Sequence, residues 1–409
     1  MTERADGMKE NAEIKRNLKI VVYAICRDEA KFAERWMASM KEADAVVVLD
    51  TGSRDGTAEK LRSLGAMVET KRYAGWNSIP EYRRIAGEGK ETPWRFDCAR
   101  NDSIDLALRL VPDADILVCT DLDEVLLTGW RAKMEEAWTE YARAHGGVQP
   151  TTAQYEYVWN FNADGSDGTK FLYEKVHAAN CGARWTHPVH EILAYGGAEK
   201  RMVRVEGMRL EHHADPTKSR GSYLNLLELS VAEDPADDRN AHYLGREYMF
   251  RRRWDDAIKE LTRHLSLPKA TWRAERAASM RFIARCHGAK GRLAEAEIWL
   301  RRAMLEEPSQ REAALELAEM MYRAKDWPAL VRACEACLAV KERRMSYLTK
   351  AEAWGSRPYD LYAIGLWYAG ERRLAIRANE EALRLAPDNE RIRKNGELMR
   401  KAVDGAGGG

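Results

Sequence analysis

Three carboxylates stand together at Asp121-Leu122-Asp123-Glu124, directly after the apolar run Ile116 to Thr120. On an extended segment, residues 121 and 123 project from one side. A hard dication such as Mg²⁺ or Mn²⁺ takes one or two carboxylates plus phosphate oxygens, so the pair suits a nucleotide diphosphate. The alternative is a solvated acidic turn that caps a following helix. A second cluster, Asp50-Thr51-Gly52-Ser53-Arg54-Asp55-Gly56-Thr57, follows another apolar run and reads first as a glycine turn capped by Asp55 or Thr57. That reading leaves Asp50 at a strand end, where a carboxylate can accept hydrogen bonds from a base or ribose. The first turn, Ile25-Cys26-Arg27-Asp28-Glu29, lacks G-x-G-x-x-G, which argues against NAD or FAD. Cys334 and Cys337 form a CxxC without a second cysteine pair, inside a helical pattern, so packing is expected of them. Tyr155, Tyr157, Trp159 and Trp185 offer faces for stacking on a ligand, with burial as the default explanation.

These groups need rigid elements behind them. Leu18 to Ile25 and Ala45 to Leu49 read as buried strands, each followed by a polar turn and an amphipathic stretch. Phe32, Trp36 and Met40 mark one helix face, and Ala58, Leu61 and Leu64 another that stops at Gly65. Ile104, Ala107, Leu108 and Val111 mark a third, stopped by Pro112 before the strand at Ile116 to Cys119. Such βα units make α/β sheets that bind ligands at the carboxyl ends of their strands, where Asp50 and Asp121 to Glu124 fall. The rest of the chain reads as helical. Arg253-Trp254-Asp255-Asp256-Ala257-Ile258 is echoed near Arg292, Asp326 and Arg373, and Pro268, Pro308 and Pro387 close three of the units. A period of roughly 40 residues with paired helices indicates tetratricopeptide-like hairpins.

At about 150 residues per domain, 409 residues make two or three domains. The 66 basic and 65 acidic side chains leave a net charge of +1, which excludes the cationic field of a nucleic-acid binder. With 45% hydrophobic and 32% charged residues, the chain has the composition of a folded protein. No apolar run is long enough for a transmembrane segment, the N-terminus is polar, and the 7 scattered cysteines suit a reducing compartment, so a cytoplasmic location is expected. The stretch from Lys71 to Phe96, with several Gly and Pro, reads as a lid loop.

Four blocks in order, VVYAICRDEAKFAERWMASM, VVVLDTGSRDGT, FDCARNDSIDLAL and ILVCTDLDEVL, resemble glycosyltransferase family 2 with the GT-A fold. The resemblance covers roughly residues 18 to 215 and implies an α/β GT-A domain with a Rossmann-like mixed sheet. It implies Ala24 and Arg27 at the nucleotide base, Asp50 at base or ribose, Arg100 at the nucleotide, Asp121 at ribose and metal, and Asp123 as main metal ligand. Trp185-Thr186-His187-Pro188-Val189-His190-Glu191 is similar to a VHE segment of family 2 enzymes that carry helical repeats. Inverting transfer needs a base for the acceptor's proton, and Glu191 is the first candidate, His190 the second. Glu211-His212-His213-Ala214-Asp215 resembles the end of the catalytic domain, with Ala214 and Asp215 in place of the usual glycine pattern. His212 or His213 would then complete the shell of Mn²⁺ or Mg²⁺, a helix cap being the alternative.

The implied organisation is a flexible N-terminus at 1–17, a GT-A domain at 18–215, a connecting helix at 216–239, helical repeats at 240–400 and a flexible tail at 401–409. The implied activity is transfer of a sugar from a nucleotide sugar, a UDP-sugar first, to an acceptor hydroxyl or thiol on a peptide, protein or glycan. The plan is similar both to bacteriocin-peptide glycosyltransferases and to transferases of surface polysaccharide. The repeats offer a concave groove or a homodimer surface. A non-catalytic repeat scaffold with a degenerate GT-A domain, or a nucleotidyltransferase on the same sheet, are the alternatives.

Overall fold

The computed structural model describes residues 17–73, 95–162, 165–197, 199–215 and 223–406. The chain divides into two compact units, Met1–Leu226 and Leu227–Gly409.

In the first unit the strands are β1 (Ile20–Cys26), β2 (Ala45–Asp50), β3 (Met67–Thr70), β4 (Ile116–Cys119), β5 (Glu124–Leu126), β6 (Thr152–Val158), β7 (Lys170–Ala178), β8 (Arg184–Thr186), β9 (Ile192–Ala194) and β10 (Met202–His212). Eight of them form one sheet in the order β3-β2-β1-β4-β7-β6-β10-β5. β1, β2, β3 and β4 pair in parallel, whereas β7 runs antiparallel to β4 and β6, and β5 antiparallel to β10. The sheet is therefore mixed, and β1, β2 and β4 of its parallel half are buried on both faces, with β3 as the partly exposed edge. This explains the unbroken apolar run of β1: Ile20, Val22 and Ala24 enter one core with Trp36, Met40 and Trp130, and Val21 and Tyr23 enter the other with Ile104, Ala107 and Trp185. Of the helices α1 (Ala33–Met40), α2 (Thr57–Ser63), α3 (Phe96–Leu110) and α4 (Trp130–Ala144), the second adds Leu61 to the first core and the others supply those partners except Trp185, which comes from β8. Trp36 is fully buried and its indole N–H donates to Thr120 Oγ1 at 3.1 Å, which satisfies its one polar atom beside the end of β4.

One local expectation changes. Asp121 to Glu124 is a tight turn closed by Glu124 N–H to Asp121 carbonyl at 2.9 Å, after which β5 pairs with β10 and not with β4. It is neither an extended segment nor a helix cap, as α4 starts only at Trp130. Most of the expected lid, residues 74–94, and most of the N-terminal segment lie outside the described residues.

The second unit is all helical. A helix at Tyr223–Glu233, α5, whose first four residues still belong to the first unit, leads into hairpins of α6 (Asp238–Phe250) with α7 (Trp254–Ser266), α8 (Arg273–Ala289) with α9 (Leu293–Glu306), α10 (Glu312–Ala324) with α11 (Trp327–Ala339), and α12 (Arg357–Tyr368) with α13 (Arg372–Leu385). Pro268, Pro308 and Pro387 each lie just beyond a helix end, where a missing N–H costs nothing. Close approach relies on small residues: a Cβ on Gly245 of α6 would sit 2.5 Å from Leu261 Cγ of α7. The last helix, α14 (Glu390–Ala406), continues past the boundary expected at residue 400. Cys334 and Cys337 are free and buried in the core of this unit, and burial pushes both thiols up, Cys337 to about 12.

Candidate functional site

The strands deliver their polar residues to one edge of the first unit. Ala24 is buried within β1, and Arg27 follows it, half exposed, with its guanidinium 3.9 Å from Asp28. Asp50 ends β2 and is 1% exposed; its Oδ1 accepts from Ser53 N–H at 3.0 Å and from the Cys26 thiol at 3.7 Å. The turn is thus capped by Asp50 itself, and Asp55 accepts the Thr57 amide at 3.0 Å.

At the end of β4 the charges form a closed network. Arg100, on the buried face of α3, donates from Nη2 to Asp121 Oδ1 at 2.9 Å and from Nε to Glu191 Oε1 at 3.0 Å, with its guanidinium 5.3 Å from the Trp185 ring. Lys175 Nζ donates to Asp121 Oδ2 at 2.9 Å and to Glu124 Oε1 at 2.8 Å. Glu124 is fully buried and also accepts from Tyr157 Oη at 2.7 Å and from Asp121 N–H at 2.8 Å. Burial alone would raise the Asp121 carboxyl, but Arg100 and Lys175 outweigh it and hold the group well below the usual carboxylate range. Burial, with Asp121 beside it, raises Glu124 against the pull of Lys175. Each oxygen of Asp121 accepts from one cation, Arg100 or Lys175, so a metal would compete with these two cations for the carboxylate, which keeps lone pairs to accept further hydrogen bonds. Lys175 was missed in the sequence. Its signal is its place in β7, in line with Phe171 and Tyr173 on the strand's alternate positions, where it lies 5.4 Å from the Tyr173 ring.

Asp123 is placed differently. The antiparallel register sets His212 opposite Glu124, and the amide of His213 donates to the Asp123 carbonyl at 2.8 Å. His212 Nε2 thereby stands 3.5 Å from Asp123 Oδ2, while His213 points away to Glu211 at 3.3 Å and stacks on Phe161. Against burial, the Asp123 carboxylate raises the His212 imidazole. His212 Nδ1 lies 2.9 Å from the Trp159 carbonyl; assigned as the donor there, it leaves the Nε2 lone pair aimed at Asp123. Two ligand atoms held at right angles at about 2.1 Å from one ion are about 3.0 Å apart, so a carboxylate oxygen and an imidazole nitrogen at this spacing fit Mn²⁺ or Mg²⁺ after a small shift.

The VHE segment is fixed to α3. Asn101 clamps Trp185 through both backbone groups, at 2.8 and 2.9 Å, and Phe96 N–H donates to the Pro188 carbonyl at 3.0 Å. His187 and His190 adopt left-handed backbone, φ 76° and 56°. His190 packs edge-on to Tyr223, whereas Glu191 faces Arg100. Of the aromatic candidates, Tyr155, Tyr157 and Trp185 are buried, and Trp185 donates to Tyr23 Oη at 2.9 Å, so none presents a face to a sugar; Trp159 is 41% exposed.

The chain is 28% identical over 118 residues to the lipopolysaccharide core biosynthesis glycosyltransferase LpsC of Rhizobium meliloti (strain 1021), a stretch of 28% of this chain and 41% of that protein. It is a distant likeness to a glycosyltransferase, and it spans less than half the length of that relative. No protein-family model matches the chain. Solved structures with similarity of fold include MamA, at 16% identity and TM-score 0.34 over 42% of this chain and 93% of that one, and Pseudomonas aeruginosa PilF, at 14% and 0.34 over 42% and 72%. Among the described residues, no helix is long and apolar enough to cross a membrane.

Proposed function

We propose that the first unit is a metal-dependent, inverting glycosyltransferase of the family 2 type that takes a nucleotide sugar as donor. The observation that carries this reading is the convergence of Asp123 and His212, 3.5 Å apart, beside the Arg100–Asp121–Lys175 network at the carboxyl end of β4. Asp123 and His212 hold Mn²⁺ or Mg²⁺, which when bound neutralises the departing diphosphate. Arg100 and Lys175 fix the Asp121 carboxylate in its ionised form, ready to accept from a ribose hydroxyl. Asp50, Ala24 and Arg27 border the base. Glu191 takes the acceptor's proton as the acceptor oxygen or sulfur bonds to the anomeric carbon and the bond to diphosphate breaks. Arg100 ties Glu191 to Asp121, so base and donor site are set by one side chain.

The name of the LpsC relative favours a glycan acceptor, as in surface-polysaccharide synthesis, over a peptide acceptor. A decayed scaffold is disfavoured by the intact charge network.

The test is release of nucleoside diphosphate from UDP-, GDP- and dTDP-sugars with Mn²⁺. Release from one donor class is expected, lost in Asp123→Asn and lowered by about 10²- to 10⁴-fold in Glu191→Gln. Absence of release and of binding for every donor, with the protein folded, refutes the proposal.

A further inference from the structure

The second unit contains a cluster unrelated to the site above. His242 on α6, His264 on α7 and Glu275 on α8 converge in its interior, both histidines fully buried and Glu275 4% exposed. Their ligand atoms all lie within 4.8 Å of one another. Three separate helices thus contribute one donor each.

The hydrogen bonds define what these donors can do. Ser279 Oγ sits between the two rings, 2.7 Å from His242 Nδ1 and 2.9 Å from His264 Nδ1. A hydroxyl has one proton and two lone pairs, so it either donates to one Nδ1 and accepts from the other, or accepts from both. If Ser279 donates to His264, that ring carries its proton on Nε2, toward Glu275 Oε1 at 3.6 Å. His242 Nδ1–H then donates to Ser279, and His242 Nε2 is a bare lone pair. Neither Nε2 has a hydrogen-bond partner among the described residues. A buried lone pair without a donor costs about 1–3 kcal/mol, and such atoms are rarely left so. If both rings donate from Nδ1 to Ser279, both Nε2 lone pairs converge with the Glu275 carboxylate. That is the protonation pattern of a metal site, with ring orientation fixed from the far nitrogen. The second oxygen of Glu275 accepts from Tyr347 Oη at 2.6 Å, which fixes the carboxylate in turn.

We propose that His242, His264 and Glu275 bind a transition-metal dication of the Zn²⁺ type, which joins α6, α7 and α8 at the start of the repeat array. Two imidazoles and a carboxylate form a borderline N/O donor set that suits Zn²⁺ or Co²⁺ better than Mg²⁺ or Ca²⁺. Donors about 2.1 Å from one tetrahedral ion are about 3.4 Å apart, so the widest pair must close by at most about 1.4 Å, within reach of small ring and carboxylate rotations. The proposal does not depend on the activity of the first unit.

The test uses the full chain carrying Asp123→Ala, which removes the other candidate ion site, produced in medium supplemented with Co²⁺ and then desalted. The expected result is one Co²⁺ per chain with visible d–d absorption, and X-ray absorption showing two imidazoles and oxygen but no sulfur. A metal-free chain, or thiolate ligation, overturns the proposal. Adding Glu275→Gln is expected to abolish the band; full retention in a folded variant also overturns it. Should that variant fail to fold, the ligand set read by X-ray absorption on the Asp123→Ala chain decides alone.

Discussion

Replacing Lys175 by Met keeps the aliphatic stem and removes the ammonium that bridges Asp121 and Glu124. Lys175 is 4% exposed and its two contacts are 2.9 and 2.8 Å long. At an effective dielectric of about 20, each is worth about 6 kcal/mol before desolvation, and drying the ammonium offsets several kcal/mol of that. Removing one partner leaves Glu124 charged in a fully buried position, for a net loss of about 3–5 kcal/mol. The loss has a pH signature. Glu124 already has a raised carboxyl, through burial and the Asp121 charge, with Lys175 opposing. A raised acid binds its proton more tightly folded than unfolded, so its contribution is present at low pH and is lost as pH rises through the folded pKa. Without Lys175 that pKa climbs further, and the deficit of Lys175→Met should shrink by about 1.4 kcal/mol for each pH unit descended within the widened window. Hydrogen exchange read by mass spectrometry on peptides covering β4 and β7 isolates this unit from the helical one. A deficit under about 1 kcal/mol that is the same at about pH 7.5 and about pH 5 would refute the reasoning.

Other perturbations follow from single contacts. His177 is 1% exposed, bonded to Tyr23 Oη at 3.1 Å, and burial pushes it down to about 4. Its folded pKa is depressed below the unfolded value near 6.5, so stability falls by about 1.4 kcal/mol per unit as pH drops between the two, and His177→Gln should flatten that slope in an acid titration of β7 protection. Gly245→Ala drives a methyl group to 2.5 Å from Leu261 Cγ and should cost the helical unit about 1–3 kcal/mol in urea unfolding; an unchanged midpoint would show that α6 and α7 can part freely. Trp36→Phe removes the indole donor to Thr120 and part of a fully buried ring, and should cost about 1–3 kcal/mol by thermal unfolding, with the same sheet topology.

Much of the fold was legible because its signals are local. The β1 run, the Phe32-Trp36-Met40 face and the prolines after α7, α9 and α13 each express one element's own period or ending. The site was legible only in part, since it depends on register. Asp123 and His212 meet because the three-residue β5 pairs antiparallel with β10, a pairing too short to leave any hydrophobic period. Nothing local distinguishes His212 from His213; strand alternation sends one to Asp123 and the other to Glu211. Asp121 and Asp123 look equivalent in a DxD, yet the turn separates them, one between two cations and the other beside an imidazole. The aromatics at 155, 157 and 185 carried no mark of which face of the sheet would cover them.

Isothermal titration of UDP-, GDP- and dTDP-sugars, with and without Mn²⁺, on wild type and Asp123→Ala tests the donor site most directly. The expected result is binding of one nucleotide class that requires Mn²⁺ and is lost in the variant. A folded wild-type chain that binds none of them at millimolar concentration would contradict it, and would move the search for function to the helical unit.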